Sequence, residues 1–216
     1  MGKSGEWHMK EEMKRNGDDG YDEYLADIKI AEAEAEYEKL QAMRERAEAH
    51  VMNWYNQIVQ EEMDSISPDA KIEEVDLTVQ SDTRFHNAIW HASTEILPAL
   101  EVQVVIDGKN NCYVTTGSSG YVGGEWESGL NLPVGMTLPI RCWIHTHPFG
   151  SAYFSGTDIR TVSIWEKNML TAYVLGSGDD KGHYGYWENT NPKQLEINRM
   201  GTVERIQTWG DKNEEE

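Results

Sequence analysis

Between Asp22 and Asp64 the chain holds neither proline nor glycine. Its apolar residues there recur at three- and four-residue steps: Tyr37, Leu40, Met43, Ala47, Val51, Trp54 and Ile58. That period marks one apolar stripe on an α-helix. The spacing predicts a long helix over residues 21–67, about 60 Å from end to end at 1.5 Å per residue, halted at Ser65-Ile66-Ser67-Pro68. Such a helix reads in two ways. It is either an arm packed along its own domain or a coiled-coil arm that meets a partner, a homo-oligomer through residues 22–64 included. The first twenty residues are polar and punctuated by glycine, and are expected to be disordered.

From Lys71 the pattern changes. Val75-Asp76-Leu77-Thr78-Val79 alternates as a strand, and Phe85, Ile89, Ala92 and Ile96 share one helical face that Pro98 ends. Val102, Val104 and Ile106 form a strand whose other face carries Glu101. A turn at Gly108-Lys109-Asn110-Asn111 leads into a further strand over Asn111–Thr115. After the glycine-rich stretch Gly117–Pro133 comes an alternating strand, Ile140–His147. A helix through Ile159, Val162 and Met169 follows, then strands over Leu170–Leu175 and Tyr184–Trp187, and one more between Gln194 and Trp209. The expectation is an α/β domain over residues 70–209, followed by an acidic tail, 210–216.

The chemistry concentrates in one place. Period 2 along Ile140–His147 puts His145 and His147 on one face, and Ile140, Cys142 and Ile144 on the other. Pro148 and Gly150 end the strand. Ser155 reads as an N-cap with Asp158 three residues on, in the manner of a capping box. Strand end and helix start thus offer two imidazoles and one carboxylate to a single ion. Three protein ligands and one open position are what a catalytic Zn²⁺ takes, although other first-row divalent ions accept the same donors. His8, His50, His86, His91 and His183 show no ligand spacing.

His145-x-His147-x7-Ser155-x-x-Asp158 resembles the signature of the JAMM (MPN+) zinc metalloproteases, and HTHPFGSAYFSGTDIRT is most similar to their eukaryotic-type, deubiquitinase-like members. The resemblance covers roughly Glu74 to Glu188. It implies an MPN (cytidine-deaminase-like) domain with a curved mixed sheet, preceded here by the long helix. It also implies hydrolysis of a peptide or isopeptide bond after the tail of a ubiquitin-like protein. His145, His147 and Asp158 then hold the metal, and Ser155 donates a hydrogen bond to the water or to the oxyanion. An upstream glutamate is the general base; Glu101, leading a strand that ends in Gly108, has the matching place, with Glu95, Glu125 and Glu127 as rivals in the same interval. Within the family a flap between the glutamate and histidine strands holds the substrate tail, and Gly117–Pro133 occupies that position. The alternative function is an assembly or scaffold module, phage-associated members among them, whose helical arm docks a partner.

Bulk properties narrow the field. A net charge of −19 argues against a nucleic-acid partner, which calls for a basic footprint. The excess lies mostly in the first 80 residues, with 21 acidic and 9 basic side chains, so it belongs to a solvated helix face. No apolar run of about 18 residues predicts a membrane span, and no apolar segment near the start resembles a secretory signal. The 2 cysteines are too few for a disulfide framework. Together these features give the expectation of an intracellular, cytoplasmic protein.

Overall fold

The computed structural model describes residues 20–66, 69–117, 135–165, 168–178, 181–188 and 205–208. Of the stretches expected to be disordered (1–20) and to form the flap (117–133), all but Gly20, which begins a helix, and Gly117 lie outside these residues, as does the acidic tail (210–216). The architecture is mixed α/β with a long N-terminal helix, as the hydrophobic pattern leads one to expect. Helix α1 runs Gly20–Ile66, and α2 runs Thr83–His91, passing directly into a π-turn over Ala92–Ile96. Strands β1 (Val102–Ile106), β2 (Cys112–Thr116) and β3 (Ile140–His147) follow. Helix α3 (Gly156–Trp165) then precedes β4 (Met169–Gly178), β5 (Lys181–Glu188) and β6 (Arg205–Thr208).

The strands form one sheet in the order β2-β1-β3-β4-β5-β6. Only β3 and β4 are parallel, which is why a helix must intervene between them; the other neighbours are antiparallel. One face of the sheet packs on α3 through Val105, Trp143, Ala172 and Val174 against Val162 and Trp165. Residues of opposite parity meet α2, where the Tyr173 ring lies 4.8 Å from that of His86. Cys142 is buried on this second face of β3, and Cys112 sits on edge strand β2 with β1 between them; both thiols are free. Burial raises both well above the ordinary thiol value, Cys142 to about 12.

The chain divides into two compact units, Met1–Met43 and Arg44–Glu216. The described part of the first is helical, and none of its side chains with a described surroundings is buried; Ile30 and Tyr37 are exposed. Within the second unit the same helix buries Ala47, Val51, Tyr55, Ile58 and Val59, and the Tyr55 ring meets Phe85 at 5.6 Å. Tyr55, one residue past Trp54, therefore fills the core, because a four-residue step from Val51 keeps closer to the buried stripe. Among the described residues no helix is long and apolar enough to cross a membrane.

Two expectations fail here. Val75–Val79 is no strand; the segment is irregular between 3-10 turns at Ile72–Glu74 and Val79–Ser81. Leu77 and Val79 are buried as the alternation implies, but side chains take the place of ladder partners. Asn110 Nδ2 donates to the carbonyls of Ile72 and Val75, Arg141 donates to Val75, and the Thr78 N–H reaches Glu62. Met169 belongs to β4 and not to α3. The helix ends at Trp165, the Asn168 N–H turns back to the Trp165 carbonyl, and Met169 pairs with Ile140.

The β1–β2 turn is the hub of these ties. Buried Asp107 accepts from the N–H groups of Lys109, Asn111 and Thr137, which joins the hairpin to the chain leading into β3. Asn110 adopts φ 64°, accepts Arg141 at its side-chain oxygen (2.7 Å) and accepts the Tyr55 hydroxyl at its carbonyl (2.6 Å). Asparagine tolerates this left-handed conformation and alanine does not. Asn110→Ala is expected to cost about 2–4 kcal/mol of unfolding free energy, from lost buried hydrogen bonds and backbone strain together. Asn110→Gly should recover only the strain, about 1 kcal/mol. Urea denaturation of the three proteins checks both values.

Candidate metal centre

Strand parity delivers the two histidines. His145 and His147 leave β3 on the face that carries Trp143, and the Trp143 and His145 rings stack at 4.4 Å. The Trp143 indole N–H donates to Gln103 Oε1 at 3.0 Å, holding that ring against β1. Beyond His147 the chain reverses, with the Gly150 N–H bonded to the His147 carbonyl. It then reaches the start of α3, where the capping box forms in both directions. The Asp158 N–H donates to Ser155 Oγ at 3.3 Å, and the Ser155 N–H donates to Asp158 Oδ2 at 2.6 Å. That second bond fixes the carboxylate in place. Its Oδ1 lies 3.2 Å from His145 Nε2, and its Oδ2 lies 3.5 Å from His147 Nε2.

The ligand atoms of His145, His147 and Asp158 all lie within 4.8 Å of one another. The group could hold a metal ion. His145 and Asp158 are buried and His147 is half-buried. Burial lowers the pKa of His145 in spite of Asp158 beside it. Burial acts the same way on His147, but the hydrogen bond and charge of Asp158, the charge of Glu101 and the Ser151 carbonyl outweigh it, and the net shift is upward. Burial would raise Asp158; bonds to His145, His147 and Ser155 prevail and hold it well below the usual carboxylate range. An ionised carboxylate thus faces a largely neutral imidazole. His145 Nε2 is buried and faces Asp158 Oδ1 at 3.2 Å. Two imidazoles and one carboxylate converge there, and this donor set fits a divalent ion.

Glu101 is buried and directly precedes β1. Gln103 pairs with His145, so continuing the antiparallel register places Glu101 opposite His147 and on the same face. Its charge acts on His147. Of its rivals, Glu95 is exposed on the π-turn; Glu125 and Glu127 lie outside the described residues. Away from the centre, the rings of His50 and His91 approach to 5.0 Å, a meeting of α1 and α2 that sequence spacing does not reveal. The side chain of His183 and all of His8 lie outside the described residues.

Two further residues support the site without belonging to the motif. Trp143 shares the parity of His145, and the same period-2 rule would have found it. Gly176 had no such signal. It pairs with His147 across β3 and β4, and a Cβ there would stand 2.4 Å from the Ala152 nitrogen and 2.5 Å from the Ser151 carbonyl carbon. The loop after His147 therefore lies directly on β4, which brings the Ser151 carbonyl to 3.4 Å from His147 Nδ1. No protein family, curated protein or solved structure compared with the chain matches it.

Two outcomes follow from the geometry. Zn²⁺ should raise the melting temperature of the wild-type chain, because an ion that binds only the folded state stabilises it. His145→Ala/His147→Ala should abolish that rise. Gly176→Ala should leave the three donors present but displaced, weakening Zn²⁺ affinity by roughly 10- to 100-fold, the usual cost of disturbing the support of a ligand. Competition against a chromophoric chelator measures the second effect.

Proposed function

We propose that this chain is a zinc-dependent hydrolase of the JAMM (MPN+) type, cutting a peptide or isopeptide bond after the tail of a ubiquitin-like protein. One observation carries the reading: the Ser155–Asp158 box presents its carboxylate to His145 and His147 beside Glu101 on the neighbouring strand. The order of elements agrees with it, an antiparallel glutamate strand and a parallel β3-α3-β4 crossover framing the centre. His145, His147 and Asp158 would hold the zinc. Bound there, it supplies Lewis acidity and lowers the pKa of water to about 7.

The chain's own residues do the rest. Glu101 takes the proton of the attacking water and returns it to the departing amine. Its burial next to His147 keeps it close to the reacting atoms without making it one of the three ligands. Ser155 contributes a hydroxyl next to Asp158, able to donate to the substrate oxygen as negative charge develops. Trp143, stacked on His145, shields that imidazole from water. An extended tail would be held by main-chain pairing, and a Gly-Gly end suits close approach of backbone to the centre. The exposed helix surface up to Met43, with Ile30 and Tyr37 open to solvent, favours a second and compatible reading, an arm that docks a partner or another copy of the chain.

Incubating metal-loaded protein with fusions that carry different ubiquitin-like domains, read by mass spectrometry, tests the activity. Cleavage is expected after the Gly-Gly end. Glu101→Gln should keep its zinc yet lose about 10²-fold or more in rate. Wild-type protein that binds zinc and cleaves no fusion would overturn the proposal.

A further inference from the structure

We infer that Ser93 and Thr146 are positioning residues for Glu101, joined in a hydrogen-bond relay that closes around its main chain. The inference rests on the reading of Glu101 as general base. Three bonds make the relay. The Val102 N–H donates to Thr146 Oγ1 at 2.9 Å, Thr146 Oγ1 lies 2.9 Å from Ser93 Oγ, and Ser93 Oγ donates to the Leu100 carbonyl at 2.6 Å. Each hydroxyl has one hydrogen to give. A carbonyl can only accept, so Ser93 spends its hydrogen on Leu100, and the Thr146 hydroxyl must donate to Ser93. Thr146 Oγ1 is then the acceptor that Val102 needs. The relay runs in one direction, and both hydroxyl residues are fully buried.

Its two ends fall on the two peptide groups that flank Glu101. The Leu100 carbonyl belongs to the peptide plane before Glu101, and the Val102 N–H belongs to the plane after it. The angles between those planes are φ and ψ of Glu101, so fixing both planes aims the side chain. Regular pairing of β1 with β3 begins only at Gln103, leaving Glu101 two residues beyond the end of that ladder. Ala99, two residues before Glu101, has φ 54°, a left-handed conformation that costs an alanine about 1–2 kcal/mol. From just beyond β2 the Gly117 N–H bonds to the Glu101 carbonyl at 2.9 Å, so the plane after Glu101 is held on that side, and the relay supplies the tie toward β3. Thr146 lies between His145 and His147, so the relay registers Glu101 against the histidine pair itself. Ser93 ties the same point to the π-turn after α2.

The test uses full-length protein with Thr146→Val, Thr146→Ser and Ser93→Ala. It reads amide hydrogen exchange at Val102, zinc content, and release of coumarin from ubiquitin carrying a C-terminal coumarin amide. Valine keeps the shape of threonine and loses the hydroxyl; serine keeps the hydroxyl and loses the methyl. Thr146→Val should retain zinc, exchange the Val102 amide about tenfold faster, as one lost hydrogen bond implies, and lose on the order of 10- to 100-fold in kcat with KM little changed. Thr146→Ser should restore both properties, and Ser93→Ala should fall between. Wild-type exchange and kcat in Thr146→Val would overturn the inference, and so would a Thr146→Ser protein as impaired as the valine variant. If Thr146→Val does not fold, Ser93→Ala decides by the same two readouts. If the wild-type protein cleaves nothing, exchange at Val102 still decides: faster in valine and normal in serine upholds the relay while the hydrolase reading falls, and no change in either sinks the relay.

Discussion

A carboxylate placed away from water needs either partners for its charge or a proton. Asp158 sits in such a place, and the arrangement around it supplies the partners. The Ser155 N–H holds one oxygen at 2.6 Å, and the histidines approach both oxygens. The bond that begins α3 is therefore also the bond that orients the charge in the centre. A helix cap is a local device, set by residues three apart, and it requires no distant part of the chain to be correct. That economy lets a short segment between β3 and β4 serve as both crossover and ligand carrier. What the cap cannot do is bring the histidines to it. The closeness of the loop to β4 at Gly176 does that.

Much of this was legible because its causes are local. Parity put His145 and His147 together, and the serine-aspartate spacing announced the cap. The strands around Ile106 and Ile144 followed from alternation. Legibility ended where partners come from far away. The alternation of Val75 to Val79 gave the right buried residues and the wrong structure, since pairing depends on whether a strand lies alongside. Asn110 and Arg141 reached the backbone first. Trp54 and Tyr55 are adjacent at the edge of the stripe of the long helix, and Tyr55 is the one that meets Phe85, thirty residues away, in the core. The bonds that embrace Glu101 join residues up to 53 positions apart, and no window along the chain displays them.

The two faces of the sheet carry different duties. On the α3 face the layer next to the histidines is aromatic, with Trp143, Phe154 and Trp165 forming a stiff floor. The other face, under α2, includes the hydroxyl pair and the buried imidazole of His86 against Tyr173. Stiffness beneath the ligands limits how far they can drift, and polar ties behind them fix the strand ends. Both serve the same requirement, which is that donors converge without the ion having to pull them into place.

The long helix is made first and completed last. Residues 47–59 carry its buried stripe, yet Tyr55 bonds to Asn110, which is held in turn by Arg141, and the sheet behind them gains β4 only at Met169–Gly178. At roughly 5–20 residues per second of synthesis, several seconds pass between the appearance of that stripe and the arrival of the surface that covers it. Through that interval the nascent chain displays an amphipathic helix with its apolar side open, and the acidic residues that flank the stripe, Glu32 to Glu38 before it and Glu61, Glu62 and Asp64 after it, oppose the close approach of neighbouring chains.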